Sequence, residues 1–560
     1  MTHLTADVRT FLHIHPTDTV LVALQDLPAG YRIVHGGKVL VLPHPVSAKH
    51  KLTTVPLAVG DPVQMYGVRV GRATQPVAPG EPLTTFNLKH EADPYSLSRR
   101  QPYHWQPPDV SAFTSLTFDG YHRADGSVGT RNYWLVVPLV FCENRNIRML
   151  QEAFEQELGY GQPQTYRQQV RKRIESYRQT GRHDRETAAP TDQPSKITET
   201  ETAGRLFPNL DGIRFLTHDM GCGGTNTDAD RLCALLAGYL VHPNVAGATV
   251  LSLGCQKSQI DTLWHEIRKR QPAFDRPLLY FDQQTYGTEA ALLTDAIDQT
   301  FAGLIEANQN ERRPAPLHKL SVGLKCGGSD GFSGISANPA LGHASDLLVQ
   351  LGATTLLAEF PELCGVEQEL IDRCEREDDA ARFVELMENY ARRAAAVGAH
   401  FDMNPSVGNI KDGLITDAIK SAGAARKAGH APVAGVLDYT EQPTRPGLHL
   451  LCTPGNDVLA TTGMAASGAN LIVFTTGLGT PTGNPVAPTV KVSTNTRLVQ
   501  RMPDIIDFDA GAVVNGTETI AQNGEQMLRH LIDVASGRVL TKAEQLGQTD
   551  FIPWQQDVNL

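Results

Sequence analysis

The stretch LSVGLKCGGSDGFSGISANPALGHASDLLVQLG, residues 320–352, decides how the chain is read. It opens on a short, near-continuous apolar run ending at Cys326, which predicts a buried strand. CGGSDG is a turn whose glycines reach backbone angles closed to other residues. NPALGHASDLLVQLG then carries its apolar residues at helical spacing. Strand, Gly-rich loop and helix make one α/β unit, and the same order recurs on both sides. GIRFLTHD runs into MGCGGTN and TDADRLCALLAGYL, and GATVLSLGC into QKSQIDTLWHEIRKR. TTLLAEFPE precedes a helix, LHLLCTPGND precedes VLATTGMAAS, and ANLIVFTTG opens LGTPTGNPVAP. From Gly212 onward this alternation predicts α/β layers with parallel strands.

Upstream the pattern differs. TVLVAL (19–24), YRIV (31–34), VLVLP (39–43) and PVQMYGVRVG (62–71) are short apolar runs separated by Gly and Pro, as in a small barrel or clip. YRIV-HGGK-VLVL predicts a hairpin turning at Gly36-Gly37. Residues 1–92 are therefore an all-β unit and 93–112, polar and aperiodic, a linker. A second unit, 113–315, starts with a polar Gly-rich entry and a buried strand ending at Cys142, followed by a helix over 144–158. Its stretch 159–204, almost free of aliphatic residues, predicts a short solvated helix and then a loop. Residues 316–560 form the last α/β unit.

With 560 residues the chain has room for two or three cores. Its 41% hydrophobic and 20% charged residues are globular values. A formal net charge of −11 argues against a globally basic nucleic-acid binder. No apolar run approaches the roughly 18 residues of a membrane span. The start MTHLTADVRTFLHIHPTD lacks the basic flank and apolar stretch of a signal peptide, so the expected location is cytoplasmic. Eight Cys in such a chain are buried small hydrophobes or thiols kept for chemistry.

Ligands of an open parallel sheet bind beyond the carboxyl ends of its strands. Cys142, Cys222, Cys255, Cys326 and Cys452 all stand at or just past predicted strand ends, and none forms a CxxC pair. Glu359 and Glu362 flank Pro361 in the same zone, and Asp228, Asp330 and Asp457 sit in or beside Gly-rich loops. Acidic oxygens with a thiolate or imidazole suit Fe²⁺, Mn²⁺ or Mg²⁺. For each acid taken singly, a helix N-cap is the competing role. G-x-G-x-x-G, Gly-Lys-Ser/Thr and G-x-S-x-G are all absent, which disfavours dinucleotide, P-loop and serine-hydrolase chemistry. His13, His15, His44, His50, His218, His343 and His449 are the available imidazoles. These features describe a metal-dependent site on a Gly-rich sheet, taking an anionic oxygenated substrate, without naming the reaction.

Several segments carry a resemblance. KHKL, YHRADGSVGTRN, HDMGCGG, CGGSDGFSGISANPALG, EFPELCGVEQ, NPSVGN, GTPTGNPVAPTVKVSTN and IDFDAG together resemble the altronate/galactarate dehydratase family, collinearly from about residue 13 to 518. The resemblance implies an N-terminal β-clip of the SAF type, a middle dimerisation region and a Rossmann-like, mainly parallel C-terminal domain. It implies an iron-dependent dehydration of a sugar acid: D-altronate would lose its C2 proton and C3 hydroxyl and become 2-keto-3-deoxy-D-gluconate. By family position His50 is the candidate acid/base group delivered by the clip, with Lys51 beside it; His218, which precedes Cys222 in a matching strand-end segment, is the runner-up base. Cys142, Cys222, Cys255 and Cys326 fall on family Cys positions and, with Glu359 and Glu362, are the candidate metal ligands; Cys452 falls where relatives need not carry one. Gly327, Gly328, Ser329, Asp330, Asn338, Thr480, Lys491 and Asn495 are the candidate substrate contacts.

The chain departs from the family pattern at Lys325, where relatives often carry an acid, at Leu478 in place of an Arg, and at Gln256 in place of a Glu. The TDAIKS segment lacks an acidic pair found in some members. Loss of an Arg favours a monoacid such as altronate over galactarate. Elimination of sulfite from sulfolactate is an alternative, disfavoured because that branch usually divides clip and main domain between two chains. A sugar-acid-binding protein without catalysis would show a damaged CGGSDG or clip segment, and both are intact apart from Lys325.

Overall fold

The computed structural model describes residues 9–161, 165–181 and 205–559. Most of the 159–204 stretch lies outside these; of its expected features, a helix over Thr165–Thr180 is present, and the expected loop after it falls among residues not described.

The N-terminal unit is all β. Val20–Ala23 pairs antiparallel with Phe11–Leu12 and Lys51–Thr53, and Arg32–His35 with Lys38–Val41. That hairpin turns at Gly36-Gly37 as expected, at φ of 58° and 74°, the backbone a two-residue hairpin turn requires. PVQMYGVRVG, read as one run, is two strands, Pro62–Met65 and Val68–Ala73, folded back at Tyr66-Gly67. Both residues have positive φ there, a reversal that the apolar pattern conceals.

The chain enters and leaves the middle unit through paired segments, Thr117–His122 running antiparallel to Arg312–Pro316. Between them lies a four-stranded sheet in the order Gly212–Phe215, Tyr133–Pro138, Val245–Ser252, Leu278–Asp282, every neighbour parallel. The strand expected to end at Cys142 ends at Pro138; Cys142 lies in a short 3-10 turn, Phe141–Glu143, that leads into the helix Asn144–Glu157.

The C-terminal unit carries a seven-stranded sheet. Its order is Val433–Leu437, Gly447–Leu451, Thr354–Leu357, Ser321–Cys326, Leu471–Thr476, Thr489–Ser493, Phe508–Asp509, parallel throughout. Four of these strands are buried along their whole length, and Ser321–Cys326 and Thr354–Leu357 at all but their first residue, as expected when helices cover both faces. Ser321–Cys326 comes first in the chain. Its successor Thr354–Leu357 lies on one side and the later Leu471–Thr476 on the other, so the sheet reverses its build direction between Cys326 and Thr476. In open α/β sheets that reversal leaves a crevice where ligands bind.

The segment expected to be a linker lies against the C-terminal unit: Arg100 donates to the carbonyls of Ile371 and Cys374, and the Tyr103 hydroxyl to that of His430. Among the described residues no helix is long and apolar enough to cross a membrane.

Candidate active site at the C-terminal sheet

The Gly-rich turn after Cys326 occupies the crevice. Gly328 has φ of +56°, and a Cβ there would stand 3.0 Å from Thr480 Oγ1, 3.1 Å from Thr476 Oγ1 and 3.4 Å from the Leu478 Cβ. Its carbonyl accepts the N–H groups of Gly477 and Leu478, both at 3.0 Å. The turns following the two central strands are thus locked together, with Gly327, Gly328, Ser329 and Thr480 in one place.

The β-clip reaches this crevice through Lys49-His50-Lys51. Lys49 Nζ lies 3.0 Å from the buried Asp330 carboxylate and 3.0 Å from Asp412. Asp330 is held in turn by Thr494 Oγ1, at 3.1 Å, and the Phe332 N–H. Lys51 is fully buried; its Nζ donates to the carbonyls of Lys49 (3.0 Å) and Gly413 (2.6 Å). Burial pulls its pKa down to about 7. His50 is half-buried, and burial lowers its pKa below the usual 6.5. Its Nδ1 contacts the Ala48 carbonyl at 3.2 Å. A carbonyl only accepts, so Nδ1 carries the proton in the neutral ring and Nε2 keeps a lone pair. That is the tautomer a general base needs.

A second, wholly buried cluster lies beside the turn. Cys326 Sγ and carboxylate oxygens of Glu359 and Glu362 all lie within 4.8 Å of one another, a group that could hold a metal ion. Its mixed sulfur and oxygen donors suit a borderline cation such as Fe²⁺, and Glu359 Oε2 is a buried oxygen without a hydrogen-bond partner. Glu359 reaches this position from a left-handed backbone, φ 73°, rare for a side chain of its size. Lys49, at φ 74°, is strained in the same way.

Three ammonium groups converge on the same donors. Lys325 Nζ lies 2.6 Å from Glu359 and 2.7 Å from Asp457, Lys420 Nζ 2.7 Å from Glu362, and Lys427 Nζ 2.7 Å from Cys326 Sγ. Burial pushes the Cys326 thiol up to about 11, against the pull of Lys427. Burial and the neighbouring Glu362 raise the Glu359 carboxyl. Burial also disfavours the charge on Glu362, but Lys420, Lys325 and Lys427 outweigh it and hold that carboxyl below its ordinary range. Burial likewise opposes the charge of Lys325, and Glu359 and Asp457 overcome it. A cation binding here would displace the proton of the Cys326 thiol and compete with the lysines for Glu359 and Glu362, so metal uptake would be coupled to release of protons.

The remaining candidates are tied to backbone or neighbouring side chains, Asn495 among them to Thr494, which holds Asp330. His218 is buried in the middle unit with both ring nitrogens engaged by backbone, Nε2 with the Pro138 carbonyl (2.8 Å) and Nδ1 with the Met220 N–H (3.2 Å). Asn338 bridges Gly423 and Thr475, Asn495 caps the helix Thr496–Arg501, and Lys491 donates to Gln548 at 2.7 Å. Cys142, Cys222 and Cys255 follow strands of the other sheet, outside the Cys326 group. Sequence reasoning did not assign roles to Lys49, Asp412, Lys420 or Lys427. KHKL does show three consecutive basic residues entering an apolar strand. Nothing local ties Lys427 to Cys326, 101 positions away.

Three family models match the chain. The Altronate/galactarate dehydratase SAF domain covers residues 9–91, the D-galactarate dehydratase/Altronate hydrolase second domain 120–308, and the D-galactarate/Altronate dehydratase C-terminal domain 317–559. The chain is 32% identical over 540 residues to an altronate dehydratase of Bacillus subtilis, covering 95% of this chain and 96% of that protein. It is 31% identical over 531 residues to an altronate dehydratase of Escherichia coli, covering 94% and 95%. It is 30% identical over 549 residues to the galactarate dehydratase (L-threo-forming) of Escherichia coli, covering 96% and 95%.

Proposed function

The chain belongs to the altronate/galactarate dehydratase family, and from that membership we propose that it removes water from D-altronate to give 2-keto-3-deoxy-D-gluconate. The observation carrying the proposal is the meeting of the clip's His50 loop with the Gly-rich crevice, through the Lys49–Asp330 pair. The turn Gly327–Ser329, with Thr480 opposite, receives the substrate carboxylate and neighbouring hydroxyl through short polar groups and backbone N–H. Leu478 flanks Gly328 and offers no cation to a second carboxylate, which favours a monoacid over galactarate. His50 Nε2 takes the C2 proton. Lys51, with a pKa near neutrality and two of its N–H positions fixed by carbonyls, supplies the proton that leaves with the C3 hydroxyl as water.

Iron, or alternatively Mn²⁺ or Mg²⁺, held by Cys326, Glu359 and Glu362, would supply electrophilic stabilisation of the charge that develops when C2 is deprotonated. The protein acts in the cytoplasm as a homodimer. Ile297, Phe301 and Ile305, exposed at helical spacing along Glu289–Ala307 of the middle unit, support that assembly.

Purified protein should convert D-altronate to a keto-deoxy acid, with galactarate and sulfolactate unreacted in parallel. Keto-deoxy diacid from galactarate, or sulfite from sulfolactate, in preference to the altronate product would overturn the substrate assignment.

A further inference from the structure

Cysteine is ordinarily among the most buried residue types. Cys233, Cys326, Cys374 and Cys452 conform and Cys364 is half-buried, whereas Cys142, Cys222 and Cys255 are exposed. These three share one place in the fold. The strands of the middle sheet run 2-1-3-4 in chain order, so the reversal falls beside the first strand, between its second- and third-strand neighbours. Cys142 follows the first strand, Cys222 the second and Cys255 the third. The thiols therefore stand beyond the carboxyl ends of the three strands around the reversal, where an open parallel sheet receives a ligand.

Their loops are laced into one frame. The Phe141 N–H donates to the Met220 carbonyl at 3.0 Å, and the Lys257 N–H to the Gly221 carbonyl at 2.9 Å. Ser258 Oγ donates to the Leu139 carbonyl and spans to that of Gly221 at 3.4 Å. Gly221, at φ +103°, makes this possible: a Cβ would stand 2.3 Å from the Leu139 carbonyl oxygen. The thiols also sense one another. Partial burial raises the Cys142 pKa, and Cys222 and Cys255 push it further.

We infer that Cys142, Cys222 and Cys255 form a three-thiolate site for a cubane iron–sulfur cluster, leaving one iron free of protein ligands. Spacing separates this from a single ion. The three sulfurs do not close to the mutual 4.8 Å of the Cys326 group, whereas one tetrahedral zinc, with Zn–S of about 2.3 Å, draws its sulfurs closer than that. A cluster attaches each thiolate to a different iron and accepts the wider triangle. Each thiol gives up its proton as its sulfur–iron bond forms. The inference does not rest on the dehydration reading, and either can fail alone.

The full chain, purified without oxygen and reconstituted with Fe³⁺, a thiol reductant and sulfide, should hold about four acid-labile sulfides and about four irons beyond any iron at the Cys326 group, and absorb broadly in the visible. The triple substitution C142S/C222S/C255S should lose the sulfide, the absorption and the accompanying iron, keeping only iron at the Cys326 group, while its circular dichroism and melting before reconstitution stay unchanged, because all three sites are exposed. C326S should keep the cluster. Equal iron and sulfide in the triple variant, iron lost by the triple variant with no sulfide in the unsubstituted protein, or no sulfide uptake by the unsubstituted protein would each overturn the inference.

Discussion

Replacing Lys325 by Met should destabilise the C-terminal unit by about 3–5 kcal/mol, the cost of removing one partner from a buried ion pair. Lys325 is buried, as is Glu359, 2.6 Å from its ammonium, and Asp457 is a second partner at 2.7 Å. Met fills much of the same volume but leaves Glu359 with Lys427 at 3.8 Å as its nearest remaining cation. Glu359 must then stay charged without compensation or take up a proton, and both are unfavourable in a site closed to water. Thermal melting should fall by roughly 10 °C or more. Adding Mn²⁺ should restore part of the loss, because the vacated ammonium position adjoins the carboxylate and thiol donors; binding at a hundred times the dissociation constant returns about 2.7 kcal/mol. The unsubstituted protein, whose donors are already neutralised, should respond less. Melting curves with and without Mn²⁺ check both parts, and a variant melting within a degree or two of the parent would refute the role given to Lys325.

Replacing His50 by Gln should lower kcat by about 10²–10⁴, the range for loss of a positioned general base, with KM changing little. Gln preserves a side chain able to hydrogen-bond to the Ala48 carbonyl but has no basic nitrogen. The pH profile separates catalysis from folding. Burial lowers the His50 pKa below 6.5, so the neutral, active ring predominates at pH 7. Activity is present above that pKa and is lost as pH falls through it. The acid limb of the kcat/KM profile, which reports the free enzyme, should lie below pH 6.5 in the parent and disappear in the variant. An unchanged acid limb would assign the base elsewhere.

Much of the fold was legible because it is written locally. The apolar run into Cys326, the glycines after it and the helical spacing of 338–350 each report their own conformation, and the hairpin at Gly36-Gly37 does the same. Strand ends were less legible: the apolar stretch into Cys142 continues past Pro138, although pairing stops there. The candidate site was legible in part. The Gly-rich turn and the KHK triplet announce themselves, but their meeting depends on Lys49 reaching Asp330 in that turn, far along the chain. The ammonium cluster was hidden for the same reason, since Lys325 comes from a strand and Lys420 and Lys427 from a helical segment far along the chain. His218 illustrates the converse. Its neighbourhood in HDMGCGG suggested chemistry, whereas folding spends both ring nitrogens on the backbone.

The central claim is that the clip's imidazole removes the C2 proton of altronate at the C-terminal crevice. The most direct test compares D-altronate with its C2-deuterated form in the parent and in His50→Gln. A primary isotope effect on kcat/KM in the parent, with turnover of both substrates falling together in the variant, is the predicted result. Equal rates for the two substrates in the parent, together with undiminished turnover by His50→Gln, would contradict it.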